Sequence, residues 1–305
     1  VIKSPVVAFL TGHGERSIDG IGERDYYAFS QYKDFRNSLV NQGFESISLS
    51  LDSVNKVPEN IDILVISDVR TALSPKEQEI IENYIAEGRN LLIAGEPRRQ
   101  EQMNPLLAPL GLSFMPGILV QESKDFSTDL ILANPTMASL NVINRFDKLL
   151  AFGNQITMPS AVGIKQTEEK GFKVVPILTT DSTGSWNELE TTNFIEDTAR
   201  INPSIGEVEQ ANTTMMYLNR EVNNREQRII VLGDAIFFRA CCVVLILAQD
   251  ETVVQPPGAF LAVFPMKSGA FFTFYTKTTK LFPQRWRGNT KVFNNFSTWD
   301  LFLPL

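Results

Sequence analysis

Apolar positions in the first hundred residues fall into short continuous runs separated by stretches of helical spacing, an alternation that predicts βαβ units around a parallel sheet. Residues 6–10 form an unbroken apolar run, a buried strand, ending in the glycine-punctuated loop Thr11-Gly12-His13-Gly14-Glu15-Arg16. Across residues 25–42, Tyr26, Phe29, Tyr32, Phe35 and Leu39 share one stripe, so a single helix is predicted there, with Gly43 as its left-handed stop. Residues 44–51 alternate as a strand, and 61–67 form a second continuous run suited to a strand buried on both faces. Ser74-Pro75-Lys76-Glu77 combines an N-cap serine, a proline at the first helical position and a glutamate at the third, so a helix starts there. Ile80, Ile81, Tyr84 and Ile85 form its buried face, Gly88 ends it, and residues 90–94 supply the next strand before Gly95-Glu96-Pro97. Residues 1–115 therefore read as a flavodoxin-like, doubly wound α/β unit.

Beyond Pro116 the pattern loosens. Strands are predicted at 118–121, 130–133, 161–165 and 173–179, and residues 182–209, rich in Thr, Asn, Glu and Gly, read as a long exposed excursion. Residues 228–232 make another central-type strand ending in Gly233-Asp234, so 116–238 form a looser second α/β portion that completes the sheet. The tail, 239–305, differs: it carries seven Lys or Arg against three Asp or Glu and nine of the 21 phenylalanines, with a strand expected at 271–275.

The 305 residues are ample for a sizeable core, and the 43% hydrophobic and 21% charged content rules out a largely disordered chain. A net charge of −7 argues against a nucleic-acid partner. Cys241 and Cys242 are adjacent, read as inert core thiols, and build neither a disulfide framework nor a zinc knuckle. No apolar run reaches the length of a transmembrane helix, the longest spanning 240–248. A start at Val1 without Met or signal pattern is that of a segment from a longer polypeptide or a processed product.

In an open parallel sheet, ligands bind at the carboxyl ends of the strands. His13, Glu15 and Arg16 follow the first strand, and Asp68 and Arg70 follow the third; Glu96, Arg98 and Arg99 follow the fourth, and Asp234 the late one. The ligand-binding candidates are His13, Glu15, Arg16, Asp68, Arg70, Glu96, Arg98 and Asp234, and Glu15, Asp68, Glu96 and Asp234 are expected on one sheet edge with arginines offsetting their charge. No cofactor is expected: Gly12-x-Gly14 lacks the third glycine of a dinucleotide fingerprint, Ser17 standing there, and no P-loop exists. His13-Gly14-Glu15 lacks the PCxxC that a zinc deaminase needs. Amidotransferase-like sheets place a cysteine at a strand-to-helix elbow, but the turns here are Ser67-Asp68-Val69, Ala94-Gly95-Glu96 and Gly233-Asp234-Ala235. Two readings stay open: a binding domain, or a hydrolase or transferase on a small ester, amide or sugar with His13 as base and Asp68, Glu96 or Asp234 as carboxylates.

The succession VVAFLTGHGER, aromatic segment, IDILVISDVRTALSPKEQEIIENYIAEGRNLLIAGEP resembles the GldG-like auxiliary component of gliding-motility-type ABC transporters, over roughly residues 1–238. The resemblance rests on the loop Thr11 to Glu15, the helix start at Leu73-Ser74 and the helix end from Tyr84-Ile85 to Gly88; residues 175–186 and 228–234 match more weakly. It implies a soluble, extracytoplasmic domain with an amidotransferase-like fold lacking the catalytic cysteine, related to a domain of intraflagellar transport proteins. It further implies no enzymatic activity, binding of glycans or partner proteins, and a membrane-embedded permease and a separate ATPase as partners. The expected location is the periplasmic side of the bacterial inner membrane, anchored by segments outside this chain. The sequence departs from the pattern at Arg89, at Glu96, and after Phe238, where divergence and an altered reading frame are both open.

Overall fold

The computed structural model describes residues 4–143, 146–191, 193–195 and 199–236. The tail expectations, including Cys241, Cys242, the 240–248 run and the strand at 271–275, lie outside the described residues. The strands are β1 (Val6–Thr11), β2 (Glu45–Ser50), β3 (Ile63–Ser67), β4 (Asn90–Ala94), β5 (Leu112–Phe114), β6 (Ile118–Gln121), β7 (Leu130–Pro135), β8 (Ile156–Pro159), β9 (Ile164–Gln166), β10 (Lys173–Thr179), β11 (Ser185–Glu188), β12 (Thr213–Val222) and β13 (Arg225–Leu232). The α-helices are α1 (Tyr27–Ser30), α2 (Pro75–Ala86), α3 (Gln100–Leu107) and α4 (Phe146–Phe152).

One sheet runs in the order β2-β1-β3-β4-β13-β12-β10-β7-β8, with β9 joined to β12 and β5 to β9. Strands β2, β1, β3, β4 and β13 are mutually parallel. From β12 outward the pairing is antiparallel. This corrects the expectation of a doubly wound parallel sheet: the sheet is mixed, and β13 joins the parallel strands β2-β1-β3-β4 to the antiparallel half. The reason is the hairpin from β12 to β13, whose turn residues Asn223 and Asn224 adopt φ of 53° and 60°, the paired left-handed conformation of a tight hairpin. An antiparallel partner is all that so short a connection allows.

Alternate residues of the parallel strands feed two separate cores. Val7, Phe9, Ile63, Val65, Leu92 and Ile230 pack on one face with Tyr26, Phe29, Leu39, Phe146 and Leu149. Ala8, Leu10, Leu64, Ile66, Ile93 and Val231 pack on the other with Ile80, Ile81, Tyr84 and Met103 of α2 and α3. The period of two along each strand puts neighbours on opposite faces, so burial of both faces makes the run continuously apolar.

Helix α2 forms as predicted. The Ser74 hydroxyl accepts the Glu77 N–H at 3.4 Å and the Glu77 carboxylate accepts the Ser74 N–H at 2.8 Å, and Gly88 takes φ of 80°. The long helix expected over 25–42 does not form: only α1 and a 3-10 turn at Val40–Gln42 are helical, and Gly43 ends the latter with φ of 87°. Side chains take over the carbonyls that a helix would have used. The Asn41 amide donates to the Lys33 and Phe35 oxygens at 2.7 and 2.9 Å, and Gln42 donates to Arg36 at 3.1 Å. Tyr26, Phe29 and Leu39 are still buried, while Tyr32 is exposed.

The excursion expected at 182–209 is corrected at 185–188, where β11 pairs with β6 and all four of its residues are buried, while most of the described residues that follow are exposed. Trp186 packs against Ile118, Val120 and Ala199, and its indole N–H donates to Glu188 at 3.0 Å. Glu188 and Glu207 then accept backbone N–H groups of Thr191, Leu189 and Asn202, which holds a polar segment down. Arg89, where the sequence departs from its resemblance, is buried; it donates to the carbonyls of Val57, Pro58 and Ile61 and stacks 4.4 Å from the Tyr84 ring, tying the loop before β3 to the end of α2.

Candidate functional site

Because β1, β3, β4 and β13 are parallel, the loops after Thr11, Ser67, Ala94 and Leu232 leave the same sheet edge. Backbone bonds lock these loops together. Asp68 N–H donates to Ala94 and Gly95 N–H to Leu232, both at 2.8 Å, while the N–H groups of Arg70 and Thr71 reach the His13 carbonyl at 2.9 and 3.1 Å. Glycine is required at Gly14, where φ is 78° and a Cβ would stand 3.1 Å from the Arg70 side chain. Glu15, Asp68, Glu96 and Asp234 do follow strands that end on one edge, and two clusters form there.

The first centres on Asp68, which sits at the elbow after β3 with φ of 52°, a conformation uncommon for a residue with a side chain. Its buried carboxylate takes Arg24 Nη2 at 2.5 Å and Nε at 3.2 Å on one oxygen and Arg99 Nε at 3.3 Å on the other. Arg16 Nε lies 3.7 Å away and Arg70 Nη2 3.9 Å away. Arg16, equally buried, gives its Nη2 to Glu96 at 2.5 Å and stands 5.8 Å over the Tyr26 ring. Burial pushes the Glu96 carboxyl up to about 8 and the neighbouring Asp234 charge adds to this, while Arg16 opposes both. Asp234 is fully buried and accepts the Ile236 N–H at 2.6 Å. The Tyr26 hydroxyl donates to the Ala235 carbonyl at 2.8 Å, joining the loop after β13 to the segment before α1.

The second cluster holds His13. Its N–H donates to Glu15 at 2.6 Å, its ring Nδ1 lies 3.3 Å from the same carboxylate, and its Nε2 lies 3.2 Å from Glu77, the capping residue of α2. His13 and Glu15 thus link the first loop to the helix start rather than to Asp68. Burial pushes the Glu77 carboxyl up, but the Ser74 hydroxyl and N–H and then His13 outweigh it and hold the group below the ordinary range.

Two residues, Arg24 and Glu77, escaped the sequence-based site, and a third, Arg99, was placed at its strand end but not chosen over Arg98. Arg24 has no strand end beside it, so only the folding of residues 17–26 over the edge brings it to Asp68. Arg99, rather than the selected Arg98, reaches Asp68; Arg98, with φ of 66°, presents an exposed side chain to a neighbouring cleft. Glu77 was visible as a cap but not as a partner of His13. The cleft has a volume of about 300 Å³ and is lined by Glu96, Arg98, Arg99, Asp129, Ser160 and Asn193 among others. Buried Asp129 accepts the hydroxyls of Ser127 and Ser160 at 2.5 and 2.8 Å. Among the described residues, no three or more His, Cys, Asp or Glu side chains are grouped so as to hold a metal ion, and no helix is long and apolar enough to cross a membrane.

The fold is shared with the solved mmIFT52 N-terminal domain, at 14% identity and a TM-score of 0.52, over 76% of this chain and 87% of that one. A ThuA-like protein from Parabacteroides merdae is similar at 8% identity and a TM-score of 0.43, over 80% of this chain and 87% of the other. No curated protein matches. A family model described as an ABC-type uncharacterized transport system, auxiliary component, matches residues 4–256, running beyond residue 238 where the resemblance was expected to stop. With more than half of its length matched, the chain belongs to this family of ABC transport-system auxiliary components.

Proposed function

We propose that this chain is a non-catalytic binding domain of the GldG-like, gliding-motility kind, held on the periplasmic side of the bacterial inner membrane by segments outside this chain. Its strand-end crevice engages a glycan or a partner protein, and it works beside a membrane-embedded permease and a separate ATPase, since the sequence carries no Walker motif. The observation that carries this reading is Asp68. An amidotransferase-like sheet keeps its nucleophilic cysteine at an elbow; here the elbow after β3 holds a carboxylate buried under arginines, which is spent on organising the loops and leaves no thiol to attack a substrate. His13 is likewise engaged at both ring nitrogens by Glu15 and Glu77, so it ties loops together.

The reading is tested by tagging the chain in its native host, solubilising membranes and identifying what co-purifies. Permease and ATPase subunits are expected, with the tag reachable by protease in spheroplasts. Recovery from the cytosol without transporter subunits would overturn the reading. So would turnover of a generic ester, amide or glycoside substrate that disappears in His13→Ala.

A further inference from the structure

We propose that the mouth of the crevice, formed by Arg24, Arg70 and Arg99, is an oxyanion site that takes the carboxylate, sulfate or phosphate group of an acidic ligand. This rests on the reading of the strand-end crevice as the binding site and names the chemical class that it accepts. The argument is one of unmatched donors. Four guanidiniums surround the single Asp68 carboxylate, and Arg16 is shared with Glu96. Arg24 occupies one Asp68 oxygen and Arg99 the other. The Arg70 guanidinium is left 3.9 Å from the carboxylate, outside hydrogen-bond reach, and among the described residues that is the only ion pair its side chain makes. A guanidinium presents five N–H donors; Arg24 also gives one to the Gly14 carbonyl at 3.3 Å and Arg99 one to the Arg98 carbonyl at 3.1 Å, and most of the rest at the mouth have no protein acceptor among the described residues.

The same arginines are reachable. The side chains of Arg24, Arg70 and Arg99 are 38%, 43% and 31% exposed, whereas Asp68 and Arg16 beneath them are each 3% exposed. A buried charged floor thus carries a rim of converging, accessible cations on a chain whose net charge is −7. The rim is electrostatically unsettled: partial burial and then the charge of Arg24 hold the Arg70 guanidinium below its ordinary value, and an anion seated between them reverses that repulsion. Planar guanidinium forks match carboxylate and tetrahedral oxyanions alike. Arg99 also lines the adjoining cleft, where Ser127, Asp129, Ser160 and Asn193 give a polar lining suited to the hydroxyl-bearing body of the same ligand.

The test is calorimetric titration of the chain at low salt with inorganic sulfate, trigalacturonate and the neutral galactotriose, repeated with Arg70→Gln, whose melting curve verifies folding, and with Arg70→Lys. Sulfate or trigalacturonate is expected to bind, to weaken as salt rises, and to lose at least about tenfold in affinity in Arg70→Gln with partial rescue in Arg70→Lys. Sulfate binding that depends on Arg70, with both saccharides silent, would support the oxyanion site while removing the glycan reading. Galactotriose binding as tightly as trigalacturonate would overturn the oxyanion site and leave the glycan reading standing. Failure of both anions to bind up to about 10 mM, or affinities unchanged in Arg70→Gln, would also overturn it.

Discussion

A central strand of the parallel half and an outer strand of the antiparallel half bury their side chains in different ways. Every residue of β3, in the parallel half, is buried, whereas β7, in the antiparallel half, alternates between half-buried and buried positions. The parallel half is sandwiched between two cores, with α2 and α3 over one face and the α1 segment over the other. It is also the half whose strand ends carry the arginine cluster. A sheet closed on both faces can expose chemistry only at its edges, and parallel pairing sends successive loops to one edge, so four loops far apart in sequence meet there.

Four predictions break or sharpen this contrast. The largest effect is expected at the junction between the halves. A Cβ on Gly233, at the end of β13, would stand 2.0 Å from the backbone oxygen of Val162, so Gly233→Ala should cost about 3 kcal/mol or more, measured by urea denaturation. Gly43→Ala, with φ of 87° and nothing within 4 Å, should cost only about 1 kcal/mol; equal losses would mean that the junction can yield. Next, Leu64→Ala in β3 should cost about 3 kcal/mol and Leu132→Ala, half-buried in β7, less than about 1 kcal/mol. Similar midpoints for the two would erase the distinction between the halves.

The third prediction concerns pH. Burial and then Asp234 raise the folded-state value of Glu96 to about 8, above its value in the unfolded chain, so the folded state holds the extra proton and loses stability as pH rises from about 4.5 to about 8. Glu96→Gln should remove that slope, so the stability of the variant relative to the native chain should improve by more than about 1 kcal/mol between pH 5 and pH 8. A constant difference across that range would place the titration elsewhere. The smallest effect is expected at the cap. Ser74→Ala should cost about 1 kcal/mol and loosen Glu77, shifting the His13 ring resonances in an NMR spectrum. Lost stability with unmoved His13 signals would separate the cap from the loop.

Legibility in the sequence followed the range of the interactions involved. The continuous run of β3 and the Ser74 capping box were readable because their signals lie within a few residues. The helix expected over 25–42 failed although its stripe was genuine: three of the five stripe residues are buried, but by a turn-rich segment whose carbonyls Asn41 and Gln42 satisfy locally. Strand β12 went unread despite a usable signal, the Asn223-Asn224 turn before β13. Residues 185–188 looked like loop because Asn and Glu are poor strand formers alone; they become strand because Trp186 is buried and the carboxylates find backbone donors.

By itself the sequence determined the parallel strands β1, β3 and β4, the helix between β3 and β4, and the gathering of charged residues at strand ends, since each follows from periodicity, caps and the rule that parallel strands share an edge. Tertiary structure alone decided that the outer half is antiparallel, that Arg99 rather than Arg98 meets Asp68, and that Arg24 joins them from a loop with no strand end of its own. The physical reason is that ion pairs and strand partners join residues tens to hundreds of positions apart, and no local pattern records which distant group a long, flexible guanidinium will find.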